Sequence, residues 1–219
     1  MKIAPVKTPV VAKKMFSNYV WDIATTNKEL YLTFDDGPTP EITKWTLDIL
    51  KHYNAKATFF CIGNNVEKHP NIFKSIIKEG HTIGNHTQNH IKGWKTKTKD
   101  YLKDAIEAQT TINSNLENFK ASNVTFFRPP YGQITPKQGK KLMKIGYQIV
   151  MWDVLSFDWE HDVSEEKCLE NVISKSKAGS IIVFHDSVKA SKNMMYALPK
   201  VLDTFSKKGY VFKSLSQKY

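Results

Sequence analysis

The sequence predicts an α/β fold in one domain, a closed or nearly closed βα barrel, with an open doubly wound sheet as the alternative. Three observations lead there. Short β-branched and aromatic runs alternate with segments of helical spacing along the chain; no Pro/Gly/Ser linker or shift in composition divides it; and 219 residues, 41% of them apolar and 12% aromatic, supply the volume for one sizeable core. Alternating β and α units make the strands parallel with right-handed crossovers.

Seven strands are expected, at Leu30 to Phe34, Ala57 to Cys61, His81 to Gly84, Thr125 to Phe127, Gln148 to Trp152, Ser180 to Phe184 and Tyr210 to Phe212. Helical spacing fills the intervals. It runs over Glu41 to Tyr53, with Ile42, Trp45, Leu47, Ile49 and Leu50 as its apolar positions, then over Pro70 to Glu79, Lys99 to Phe119, Pro136 to Ile145, Ser164 to Lys177 and Met194 to Lys207. Punctuation falls where this order needs it: Pro70 and Pro136 open helices, Gly80 and Gly146 close them, and Gly179 precedes the sixth strand.

Composition narrows the function classes. No apolar run approaches the length of a membrane span, and two cysteines, Cys61 and Cys168, supply neither a disulfide framework nor a thiolate cluster. The net charge of +11 would attract nucleic acid, anionic lipid or an acidic polymer. Of the 32 basic residues, however, only Arg128 is arginine, whereas base and phosphate recognition favour its planar fork. The lysines read as solvated helix and loop surface, so no nucleic-acid partner is expected. Val10, Val11 and Ala12 sit among Pro5, Pro9, Lys13 and Lys14, too short an apolar stretch for an export signal, and a cytoplasmic location is the expectation.

In βα barrels chemistry collects on the loops after the carboxyl ends of strands. Five of the seven expected strand ends carry polar clusters: Asp35 and Asp36; His86 and His90; Arg128; Asp158 and Trp159; His185 and Asp186. Asp35-Asp36-Gly37-Pro38 also suits a plain turn, but adjacent carboxylates after an apolar strand repel each other unless a cation stands nearby. His86 and His90 are four apart, a spacing that puts two imidazoles on one face of a helical turn. With an acidic residue they make a two-histidine, one-carboxylate site for a divalent metal. Arg128, between Phe127 and Pro129-Pro130-Tyr131-Gly132, calls for a bidentate carboxylate partner, for which Asp35 is the candidate. His185 ends an apolar strand; a carboxylate such as Asp158 beside it would favour the imidazolium and prepare a general acid.

These clusters, in this order, resemble the motifs of the polysaccharide deacetylases of carbohydrate esterase family 4, the NodB-homology domain. The resemblance runs from about Leu30 to Lys213 and implies a distorted (β/α)7 barrel, with 30–219 as the catalytic domain and 1–29 as an extension packed on it. It implies that Asp35 is the catalytic base, that Asp36, His86 and His90 are the metal ligands, and that Arg128 holds the base. It further implies that the Tyr131 N–H serves the oxyanion, that Asp158 tethers the acid His185, and that Trp159 and Val183 line the acetyl pocket. The cofactor implied is one divalent metal, zinc first, with cobalt or nickel as alternatives.

The implied activity is hydrolysis of N-acetyl groups from glycans or amino-sugar oligosaccharides containing N-acetylglucosamine, of chitin or peptidoglycan type, with release of acetate. O-deacetylation of acetylated xylan is the nearest rival; a non-catalytic carbohydrate-binding barrel and a basic nucleic-acid surface are rivals of another class. Exposed aromatics near the mouth, Trp94 and Tyr131, suit stacking on sugar rings. Two departures stand out. Leu155 occupies a position where the family often has Asp, and Val183 replaces the usual Leu, a change worth about 1 kcal/mol in pocket fit.

Overall fold

A computed structural model describes residues 5–116 and 125–216. Eight strands are formed: β1 (Glu29–Asp35), β2 (Ala57–Cys61), β3 (Thr82–Asn85), β4 (Thr125–Phe127), β5 (Tyr147–Ile149), β6 (Val154–Leu155), β7 (Ile181–His185) and β8 (Val211–Phe212). The helices are α1 (Val10–Met15), α2 (Ile42–His52), α3 (Gly63–Lys68), α4 (Pro70–Lys78), α5 (Thr98–Ser114), α6 (Pro136–Lys144), α7 (Glu165–Lys175) and α8 (Ser191–Lys207).

Seven parallel strands lie in the order β5-β4-β3-β2-β1-β7-β6. Followed around a circle, this is chain order with a single break between β5 and β6, whereas a doubly wound sheet would reverse direction from a central strand. The fold is therefore a distorted (β/α)7 barrel. The seven staves are not quite the seven expected. Val154–Leu155 forms an unforeseen strand, while Val211–Phe212 pairs outside the circle with Glu29 and Leu30 of β1.

The strands that read most clearly in the sequence are buried on both faces. Every residue of β2 is buried, as is every residue of β1 after Glu29, which is why they appear as continuous rather than alternating apolar runs. The helices cover the outside. α2 buries Ile42, Thr43, Thr46, Leu47 and Leu50, one stripe at helical spacing. Pro70 and Pro136 each occupy a first turn, and α6 opens with a Thr135/Gln138 capping box. Two helices were not anticipated. α1 buries no side chain, and α3 buries only Gly63 and Val66, so neither carries an apolar stripe. The expected end of the third helix at Phe119 lies outside the described residues.

Residues that precede β1 run along the break in the circle. Lys7 bridges to Val154, Val20 to Val150 and Asp22 to Ser180. Backbone bonds join Val6 to Leu155, Thr8 to Asp153, Val20 to Ile149 and Met151, and Ile23 to Gly179. The fully buried carboxylate of Asp153 is the anchor of this segment, accepting from Lys7, Lys13 and Ser180. Burial by itself would raise its pKa, but the lysine ammonium groups and the Ser180 hydroxyl hold it below the usual carboxylate range.

The two-residue period of the strands decides what points inward. Tyr31, Thr33 and Asp35 share one face of β1; Ile181, Val183 and His185 share one face of β7; and Phe126 and Arg128 are likewise in step. Tyr31, Phe60, Phe126 and Ile181 pack in one cluster with Ile23, Val150 and Leu215. Polar residues lie beyond this apolar floor, toward the carboxyl ends of the strands.

Candidate active site

Asp35 ends β1 beside His185 of β7, its register partner. Arg128 follows β4 and is fully buried, with its guanidinium over the Phe60 ring at 4.1 Å. Its Nη1 donates to Asp35 Oδ1 and to Thr33 Oγ1, both at 2.7 Å, while Nη2 and Nε donate to the carbonyls of Met151 and Val150 at 2.8 and 3.3 Å. The expected bidentate pairing is thus corrected. One N–H reaches the carboxylate and the rest of the fork satisfies backbone, which fixes the guanidinium from three sides.

His86 follows β3 and is buried. Its Nδ1 lies 2.7 Å from the Arg128 carbonyl, which can only accept, so Nδ1 carries the proton and the Nε2 lone pair faces Asp36. The Nε2 atoms of His86 and His90 are 3.8 and 3.3 Å from Asp36 Oδ1. The two histidines are not on a helical turn as their spacing suggested. They lie in a loop in which Thr87 and His90 take φ of 66° and 53°, a conformation that costs backbone energy and needs outside support.

Asp104 of α5 supplies that support. Its buried carboxylate accepts from the Gln88 and Asn89 amides at 2.8 and 3.1 Å and from Asn89 Nδ2 at 2.6 Å. The sequence reasoning missed it, although α5 carries a signal: an aspartate inside the buried stripe Tyr101, Asp104, Ala105, Ala108. Asp104→Ala is expected to weaken divalent-cation binding at the His86–His90 loop roughly tenfold to a hundredfold, measured by chelator competition, with helix content retained by circular dichroism.

Asp186 fastens the other ligand loop. Buried completely, it accepts from the Gly37 amide at 3.0 Å and from Thr43 Oγ1 at 2.5 Å, and a Cβ at Gly37 would collide with its carboxylate. Burial, with Asp36 nearby, pushes its pKa up to about 8.

His185 Nδ1 is 2.8 Å from Asp158 Oδ1, whose partner oxygen accepts from the His185 amide at 2.7 Å. Burial would lower the imidazole pKa, but the charge and hydrogen bond of Asp158, joined by Asp36 and Asp35, outweigh it and push it up to about 9. His90 is the opposite case: burial and the neighbouring His86 bring it down to about 4 despite Asp36. His86 is lowered too, chiefly by burial. One imidazole is therefore kept charged and two are kept neutral at pH 7.

Trp159 presents its edge to His185 at 4.6 Å and stacks on Phe157 at 5.0 Å. Tyr131, 55% exposed, has its ring 4.6 Å from His90 and a backbone φ of 59°. Gly132 follows it because a Cβ there would meet Trp152 at 2.4 Å. Val183 is buried, register-paired with Thr33 and Leu155 two residues below His185, so the unusual Leu155 extends an apolar wall. Trp94 stands on the surface, 61% exposed.

Whether this set suits a cation is decided by its unmet valences. Asp36 Oδ1 is buried and has no hydrogen-bond partner among the described residues. Burial would raise the Asp36 pKa, but the His185 imidazolium, joined by His86 and His90 in the acid range where they are protonated, holds it below the usual range. One ligand atom each from Asp36, His86 and His90 lies within 4.8 Å of the others. An ionised oxygen without a donor, facing two neutral imidazole nitrogens, fits a divalent ion that keeps positions open for water and substrate.

Residues 22–150, more than half of the chain, match the family model described as polysaccharide deacetylase. The chain belongs to the polysaccharide deacetylase family. This deacetylase is 32% identical over 203 residues to a Bacillus cereus protein named peptidoglycan-N-acetylglucosamine deacetylase, covering 90% of this chain and 91% of that one. It is 32% identical over 195 residues to the Bacillus subtilis peptidoglycan-N-acetylmuramic acid deacetylase PdaA, covering 87% of this chain and 71% of the relative. The crystal structure of the Bc1960 peptidoglycan N-acetylglucosamine deacetylase, bound to a naphthyl N-hydroxybenzamide, superposes with a TM-score of 0.85 at 36% identity, covering 95% of both chains. The family and its barrel thus agree with the motifs read in the sequence, and glycan deacetylation is the chemistry that this deacetylase's relatives share by name.

Proposed function

We propose that the chain is a divalent-metal-dependent hydrolase that removes N-acetyl groups from N-acetylglucosamine-containing glycans of the peptidoglycan kind, releasing acetate. The observation that carries this is the convergence of Asp36, His86 and His90 beside two prepared acid–base groups, Asp35 on Arg128 and His185 on Asp158. Two imidazoles and a carboxylate suit zinc, with cobalt or nickel as substitutes. The activities for which the relatives are named favour an N-acetylated wall polymer over acetylated xylan.

When bound, the cation supplies Lewis acidity toward the acetyl carbonyl and makes water a better nucleophile at neutral pH. The side chains do the rest. Asp35, oriented by the Arg128 hydrogen bond, takes the proton of the attacking water. The Tyr131 N–H donates to the carbonyl oxygen as it gains charge, a contribution of about 3 kcal/mol for one such donor. His185, held as imidazolium by Asp158, gives its proton to the departing amine nitrogen. Trp159, edge-on to that imidazole, closes the site on one side.

Acetate release from peptidoglycan, chito-oligosaccharide and acetyl-xylan, compared in chelated and zinc-restored protein, is the test. The expected result is release from the N-acetylated glycans that vanishes on chelation and returns with zinc. Full activity after metal removal, or release from acetyl-xylan alone, would overturn the reading.

A further inference from the structure

The loop that leaves the ligand histidines carries a cation with no assigned role. Lys92 is two residues beyond His90, exposed, and its Nζ lies 4.8 Å from the centroid of the Tyr131 ring. That ring's other neighbour is the His90 imidazole, at 4.6 Å. Lys92 thus lies over an aromatic face, one ring away from a proposed metal ligand. Among the described residues no carboxylate lies within ion-pair distance of it, since Asp35 is bonded to Arg128 and Asp36 faces the imidazoles.

Trp94 stands two residues further on, exposed, with its indole N–H on the Ile134 carbonyl at 3.3 Å. Tyr131 and Trp94, both exposed, each present an aromatic face of the kind on which sugar rings stack, at low cost in conformational freedom. A neutral sugar satisfies those faces and leaves the ammonium unmatched. An anionic one satisfies all three.

We infer that Lys92, with Tyr131 and Trp94, forms a subsite for a carboxylate carried by the glycan beside the acetamido sugar at the metal centre. The preferred polymer is then an acidic one of the muramic-acid type rather than a neutral one of the chitin type. The inference rests on the deacetylase reading and deepens it. Two sources of carboxylate share this chemistry: the sugar's own lactyl acid and the acids of an attached peptide.

Binding rather than turnover tests it, in the zinc-loaded Asp35→Asn protein. The probes are a peptide-free tetrasaccharide of alternating N-acetylglucosamine and N-acetylmuramic acid, its methyl amide, and the peptide-bearing tetrasaccharide, whose lactyl carboxyl is already amide-linked. The acid is expected to bind about fivefold more tightly than the amide at low salt, the advantage shrinking as salt is added. Lys92→Met should bring that ratio to one, while Lys95→Met, on the same loop, should leave it in place. A preference for the peptide-bearing probe alone supports the subsite and assigns its anion to the peptide. Equal affinity for all three, or a Lys92→Met protein that discriminates as before, overturns it. A protein that discriminates yet, as wild type, deacetylates nothing would sink the hydrolase reading and leave the anion subsite standing.

Discussion

Asp35→Asn is expected to lower turnover about a thousandfold while bound metal is unchanged, because general-base assistance is worth a factor of this order and the proposed ligands Asp36, His86 and His90 are untouched. The substitution is close to isosteric, and the amide oxygen can still accept the Arg128 Nη1 hydrogen bond now made at 2.7 Å. What it cannot do is take a proton from water. A second consequence follows from Arg128 being fully buried: removing its counter-charge leaves an unpaired cation in a low-dielectric site, and losses of about 3–5 kcal/mol are usual when a buried pair is broken. The backbone carbonyls of Val150 and Met151 soften that loss by continuing to accept. Turnover, zinc content and thermal midpoint therefore have to be read together at a temperature where the variant is folded. A folded, zinc-loaded Asp35→Asn protein with wild-type turnover would show that another group is the base.

The second large effect concerns the acid. With the His185 pKa near 9, kcat/KM should fall on the alkaline side as pH rises through about 9, the imidazolium being the form that donates. Asp158→Asn removes the charge that offsets burial, so this limb should move down by about two pH units and activity at pH 8 should drop steeply. Stability obeys the same linkage. The folded pKa lies above the ordinary value of 6.5, so the stabilisation from the pair is fully present below about pH 6.5 and is lost as pH rises through about 9. A pH series of thermal midpoints, wild type against Asp158→Asn, should show that decline only in the wild type. An alkaline limb unmoved by Asp158→Asn would remove His185 from the acid's role.

The fold was legible where burial on both faces turned strands into unbroken apolar runs, as in Tyr31 to Phe34, Thr58 to Cys61 and Ile181 to Phe184. It was illegible where an element owes its shape to its neighbours. β6 is two residues beside the buried Asp153, whose charge reads as loop until the lysines that neutralise it are seen. α1 and α3 lack an apolar stripe and so leave no periodic trace. In the site, polar residues after apolar strands were readable because the strand period aims them to one rim. The shape of the His86–His90 loop was not, since its left-handed residues are held by Asp104, a contact between segments that local spacing does not encode.

The segment lying along the break between β5 and β6 has a bearing on how the molecule assembles. Its partners are Val150, Val154, Asp153 and Ser180, so during translation residues 6–23 leave the ribosome long before anything exists for them to dock on. Five staves can form in sequence from near neighbours, but sealing the barrel requires contacts spanning most of the polypeptide, which are the slow kind. Until that segment docks, the edges of β5 and β6 at the break are unpaired templates for other strands. Residues 6–23, made well before their partners, are thus the last to find their place, and they shield those edges once they do.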